Sequence, residues 1–129
     1  MKSIFLVDDD KILVYLTMRT IKSATTETTF KDFGNGLDAI DYLKSIADNT
    51  ELLPDIILLD LSMPIMDGWE FLEEYTKLEP HIQKKNKLYI FSSSISPHDI
   101  ERAKSIDLVS DFIIKPLKMD KIMEMVNFC

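Results

Sequence analysis

Five residues able to do chemistry stand at matching places in this sequence. Asp8 and Asp9 follow the apolar run Ser3–Val7, and Asp60 follows Ile56–Leu59. Ser92 follows Leu88–Phe91, and Lys115 follows Asp111–Ile114. Each run is short and apolar, as a strand buried on both faces of a sheet would be, and ends where that strand meets solvent. Asp60 by itself reads equally as a loop-capping carboxylate, although a carboxylate so close to an apolar interior needs a partner or a task. In a parallel sheet all these ends share one edge, so three carboxylates, a hydroxyl and an ammonium converge. Two carboxylates ~5 Å apart repel by roughly 3 kcal/mol at an effective dielectric of ~20. Such a set calls for a divalent cation, and oxygen ligands without His or Cys select a hard ion, Mg2+ best of all. Lys115 as a point charge and Ser92 as a donor suit an incoming phosphoryl group. Asp60 would then be a carboxylate nucleophile toward phosphorus, forming an aspartyl phosphate. The competing reading is acid-tipped strands held by a structural salt bridge to Lys115, and five coincident placements weigh against it.

The intervening segments must bring those ends together. Lys11 to about Ser23 has helical periodicity, with Ile12, Leu13, Leu16 and Thr20 on one stripe. Thr28–Phe33 alternates β-branched and aromatic residues with charges and suits an edge strand. Gly34–Gly36 is a turn, and Leu37, Ile40, Leu43 and Ala47 form a second helical stripe before the polar connection Asp48–Pro54. Phe71, Leu72 and Tyr75 mark a third helix that stops before Pro80, with Trp69 at its start read as packing or partial exposure rather than binding. Pro97 suits a first helical turn, which Ile100 and Ala103 continue. Asp120–Phe128 closes the pattern, with Ile122, Met123 and Val126 facing inward. This is β-α five times over, which implies an α/β fold with a parallel sheet, right-handed crossovers and helices on both faces. Ligands of such sheets bind outside the carboxyl ends of the strands.

Composition narrows the class further. A chain of 129 residues suits one domain spanning 1–129. No apolar run approaches the ~20 residues of a membrane span, so no membrane insertion is expected. The formal net charge of -7 argues against nucleic acid as a direct partner. Lys84, Lys85 and Lys87 read as a solvated loop, and His81 and His98 as surface residues. The single cysteine, Cys129, excludes a disulfide framework and a thiolate metal site. The first residues run directly into a strand and do not read as a secretory signal, so the expected compartment is the cytoplasm. The seven methionines are expected as core filler.

Four motifs, VDDD (Val7–Asp10), LLDLSMPIMDG (Leu58–Gly68), FSSSISP (Phe91–Pro97) and DFIIKP (Asp111–Pro116), resemble the receiver domain of two-component response regulators. The resemblance covers nearly the whole chain. It implies the flavodoxin-like (βα)5 fold with strand order 2-1-3-4-5. It implies a signalling domain in which Asp60 accepts a phosphoryl group from a histidine kinase or histidine phosphotransfer protein. By the same match Asp9, Asp60 and the backbone carbonyl of Ser62 would hold Mg2+, with Asp8 helping through water. Lys115 would contact the phosphoryl oxygens, and its bond to Pro116 is expected to be cis. Ser92 and Phe112 occupy the positions of the family's switch, whose output is the face made by the fourth helix, fifth strand and fifth helix, offered to a downstream target protein. Ser62 and Ser94 occupy positions that modulate dephosphorylation, and their small size implies an intermediate to short phosphate lifetime.

Two features depart from the family. Leu108-Val109 replaces a usual small pair before the fifth strand, and the connections 48–54 and 80–87 are longer than typical. No output domain is expected, so output would pass through a separate protein or by onward phosphoryl transfer. A haloacid-dehalogenase-type phosphatase would need an acid/base aspartate where this chain has Ser62. A P-loop nucleotide-binding enzyme is excluded because no Gly-rich loop ends in Gly-Lys-Ser/Thr. A receiver-fold binding module acting without phosphorylation remains the other alternative.

Overall fold

The apolar runs form the strands of one parallel sheet. In the computed structural model, which describes residues 2–25, 27–93 and 96–127, these are β1 (Lys2–Val7), β2 (Thr28–Phe33), β3 (Ile56–Leu59), β4 (Lys87–Ser92) and β5 (Val109–Ile114). Their order is β2-β1-β3-β4-β5, and every pairing is parallel. The helices are α1 (Lys11–Ala24), α2 (Gly36–Ser45), α3 (Gly68–Leu78), α4 (Pro97–Lys104) and α5 (Met119–Asn127), with a 3-10 turn over Glu79–His81. This is the flavodoxin-like receiver fold. Among the described residues, no helix is long and apolar enough to cross a membrane.

Alternation along the central strands divides the core into two layers. Phe5, Ile57 and Leu59 face Ile40, Leu43 and Phe71 of α2 and α3. Ile4, Leu6 and Leu58 face Ile21 of α1 and Ile122 and Met125 of α5. All four residues of β3 are buried, as the continuous apolar run requires of a strand covered on both sides.

Four readings of faces and boundaries need correction. The buried face of α1 is Val14, Thr17 and Ile21, while Ile12 and Leu16 are 75% and 51% exposed. A hydroxyl at the centre of that face hid the true stripe, because Thr17 is polar by type yet buried by position. In α5 Ile122 and Met125 are buried and Val126 packs against the same core as expected, while Met123 points outward; the i, i+3 spacing of the buried pair leaves Met123 round the helix. Leu37 is likewise exposed, and Ala39, Ile40 and Leu43 carry the core face of α2. Finally, β5 starts at Val109 rather than Asp111, and its register with β4 shifts between Leu88 and Tyr89.

The lysine cluster is more engaged than a solvated loop. Lys84 Nζ lies 3.0 Å from Asp55 Oδ1 and donates to the Leu53 carbonyl at 3.2 Å. Lys85 pairs with Glu79, and the Gln83 N–H donates to the Ala47 carbonyl at 3.0 Å. The two long connections are thereby stitched together at the amino-terminal edge of the sheet, away from the strand ends that carry Asp8 and Asp60. His81 and His98 are exposed as expected. Met63 and Met125 fill core space, whereas Met119 and Met123 do not. Cys129 lies outside the described residues.

Candidate functional site

Backbone pairing carries the functional residues to one edge. β1 and β3 run in register as far as Val7 opposite Leu59, so Asp8 and Asp60 emerge side by side. The Asp60 N–H donates to the Val7 carbonyl at 2.9 Å, and the Asp8 N–H to the Phe33 carbonyl at 2.9 Å. On the other side Ser92 pairs with Ile114, and the Lys115 N–H donates to the Ser92 carbonyl at 2.9 Å. The Lys115–Pro116 peptide bond is cis.

Local caps aim the loops. Asp10 closes the start of α1, its carboxylate accepting from the N–H groups of Ile12 and Leu13 at 3.1 Å. Asp8 Oδ1 accepts the Asp10 N–H at 2.9 Å. After β3 the chain folds back tightly, with the Gly68 N–H donating to the Leu61 carbonyl at 3.1 Å. A Cβ at Gly68 would lie 2.4 Å from the Asp60 carbonyl oxygen and 2.8 Å from Leu61 Cα. Only glycine allows that approach. Asp67 and Glu70 then begin α3 with a reciprocal capping box.

The result is an acidic cleft of about 540 Å³. Carboxylate oxygens of Asp8, Asp9 and Asp60 lie within 4.8 Å of one another. Asp8 and Asp60 are buried and Asp9 is exposed. Lys115 Nζ reaches both buried carboxylates, 2.8 Å from Asp8 Oδ2 and 3.3 Å from Asp60 Oδ1. Burial pushes the Asp60 carboxyl above its ordinary range, the neighbouring Asp8 adds to the push, and Lys115 and the Ser62 N–H oppose it. One ammonium thus faces three clustered carboxylates. The remaining negative charge, carried on oxygen alone and open to solvent at Asp9, fits a hard divalent cation.

Ser92 is buried at the end of β4, and Ser62 is exposed; both line this cleft. Phe112 is half-buried and packs against the α2–α3 layer. Ser94 lies outside the described residues. The structure adds lining residues that sequence reasoning missed: Asp67, Ser93, Asp99 and Trp69. Trp69 does pack on the core as expected, and it also borders the cleft. No strand end announces Trp69 or Asp99, because helix packing places them.

Known proteins resemble this chain along its length. The chemotaxis protein CheY of Thermotoga maritima is 28% identical over 98% of this chain and 95% of its own. A two-component response regulator from Cytophaga hutchinsonii superposes with a TM-score of 0.88 at 26% identity, covering 99% of this chain and 96% of that one. The phosphorylated cyanobacterial phytochrome response regulator RcpA is 28% identical with a TM-score of 0.75, over 98% of this chain and 89% of that one. Residues 4–127 match the family model of the response regulator receiver domain, and the chain belongs to that family, a signalling domain of two-component systems.

Proposed function

We propose that this receiver accepts a phosphoryl group on Asp60 from a phosphohistidine of a histidine kinase or histidine phosphotransfer protein. The observation that carries the reading is the contact of Lys115 Nζ with both Asp8 and Asp60 at the rim of an oxygen-only acidic cluster. An Asp60 oxygen attacks phosphorus while the phosphorus–nitrogen bond of the donor breaks, its electron pair returning to the imidazole nitrogen. Lys115 places positive charge beside the transferred oxygens, and Ser92 offers its hydroxyl to one of them. Loss of the group is the attack of water on phosphorus, which breaks the bond to Asp60 and releases inorganic phosphate. The phosphorylated state of RcpA, a protein 28% identical to this one, supports the same chemistry here.

Mg2+ fits the oxygen-only cluster, where Asp9, Asp60 and the Ser62 carbonyl would hold it and Asp8 would assist. When bound it supplies neutralising charge for the phosphoryl oxygens. Ser92 gains its phosphoryl partner only in the phosphorylated state, so phosphorylation shifts a population in which Ser92 and Phe112 move together. The face of α4, β5 and α5 then presents a changed surface to a downstream protein. Membership of the receiver-domain family supports a downstream protein partner. The small, exposed side chain of Ser62 leaves water access to the phosphate, giving an intermediate to short lifetime.

Incubation with a radiolabelled phosphohistidine protein and Mg2+ tests the reading. Label should appear on the wild type within minutes and be absent from Asp60→Asn. Equal labelling of the two, or none of either by any donor while beryllofluoride with Mg2+ also leaves the spectrum unchanged, sinks it in favour of an unphosphorylated binding module.

A further inference from the structure

Among the described residues α4 buries one side chain, Ala103, fewer than any other α-helix. Yet α4 begins at Pro97, shortly after Ser92, and Asp99 in its first turn lines the acidic cleft. The opposite wall is far better fixed. Trp69 stands in the first turn of α3, packed against the core, and α3 itself is tied to the Asp60 loop by the capping box and the Gly68–Leu61 bond.

A side-chain pair spans the two walls. The Arg102 guanidinium, one turn beyond Asp99 on α4, lies 4.1 Å from the centroid of the Trp69 ring. That distance and the face-on placement make a cation–π stack between an exposed cation and a half-buried ring. We propose that the Arg102–Trp69 stack is a latch that holds α4 against α3 and sets how readily the Asp60 site takes an occupant.

The inference rests on the phosphoacceptor reading of Asp60. An occupant whose oxygen engages Ser92 draws the end of β4 inward, and the start of α4 must follow. Trp69 stays with α3 and the core, so the displacement falls on the stack, the weaker joint. Occupancy and stacking therefore oppose each other, and by linkage each weakens the other by the same factor. Removing the guanidinium removes the restraint and makes the site easier to fill. Arg102 acts through α4 and never touches the occupant, so it is a positioning residue.

Trp69 is the sole tryptophan and reports directly on the stack. Beryllofluoride with Mg2+ is titrated into wild type, Arg102→Ala and Arg102→Lys, followed by tryptophan emission and independently by calorimetry. Circular dichroism checks that the exposed substitutions leave the fold intact. Arg102→Ala should bind about two- to fivefold more tightly, the span an exposed cation–π contact supports. Its emission before addition should already lie near the value the wild type reaches at saturation. Arg102→Lys, which keeps the charge and loses the planar face, should fall between. Unchanged or weaker binding by Arg102→Ala, with wild type binding normally, overturns the latch alone. A wild type that takes up no beryllofluoride in the calorimeter overturns the phosphoacceptor reading and the latch with it.

Discussion

Asp60 carries a charge that the fold resists. Burial and then Asp8 raise its pKa above the ordinary 3.8, so the folded chain holds that proton more tightly than the unfolded chain. A raised folded value means a contribution to stability that is complete below pH ~3.8 and lost as pH rises through the folded pKa. At neutral pH the carboxylate therefore weakens the fold. Asp60→Asn keeps the shape and removes the charge, so it should melt a few degrees higher at pH 7, the response of a domain this size to about 1 kcal/mol. The gap should close as the buffer is taken below the carboxylate range. Melting curves at several pH values decide it, and a lower melting point for Asp60→Asn at pH 7 would show that its charge is better compensated than the geometry implies.

Lys115 is the counterpart. Its removal leaves two buried carboxylates facing each other, a loss of about 3 kcal/mol by the behaviour of buried pairs deprived of one partner. Denaturant unfolding of Lys115→Ala should show that loss, and the double variant with Asp60→Asn should recover part of it. Strict additivity would mean that the 3.3 Å contact between them carries no coupling. These residues were legible because each ends an apolar run, where a change from buried to polar type is visible in one dimension. Trp69, Asp99 and Arg102 were not, since the packing of α3 against α4 places them and no local pattern records it.

Among elements, the loop between β3 and α3 is the least tolerant of change. An added Cβ at Gly68 meets backbone atoms of Asp60 and Leu61 at 2.4 and 2.8 Å, and backbone cannot swing aside as a flexible side chain can. Gly68→Ala should cost about 1–3 kcal/mol, the range for overpacked sites, and should weaken beryllofluoride binding because the carbonyl that must shift belongs to Asp60. Gly34 offers the control. No atom lies within 4 Å of a Cβ there and its φ is not positive, so Gly34→Ala should leave stability level or slightly improved. If the two variants unfold at the same urea concentration, the close approach at Gly68 is not what fixes the loop. Element order and type were readable throughout, because runs such as Ile56–Leu59 have strand length and are apolar at every position. Faces were less so. Thr17 broke the apolar stripe of α1 by its type while sitting in the core, and Met123, read as facing inward with Ile122 and Val126, points outward. Periodicity weighs residue types, and burial weighs positions.

At the scale of the molecule the sheet has two ends with opposite electrostatics. The carboxyl-terminal edge gathers charge that the fold resists; the amino-terminal edge gathers charge that holds the fold together. There Asp55 accepts the Ser3 N–H at 2.8 Å and pairs with Lys84 at 3.0 Å, which joins β1, β3 and the connection before β4. Burial alone would raise the Asp55 pKa, but the Ser3 bond and Lys84 outweigh it and hold it below 3.8. A depressed folded value gives stability that is present above the unfolded pKa and disappears as pH falls through the folded one. Lys84→Ala should therefore unfold about 1 kcal/mol more easily at pH 7, with the difference shrinking in acid. The Asp60→Asn difference also shrinks in acid, from the opposite sign. Because Lys84 stands at the far edge of the sheet from Lys115, its loss should leave beryllofluoride affinity at the wild-type value. A severalfold drop in that affinity would mean that the stitched connections reach the cleft through the strands, and the two ends could no longer be treated as independent.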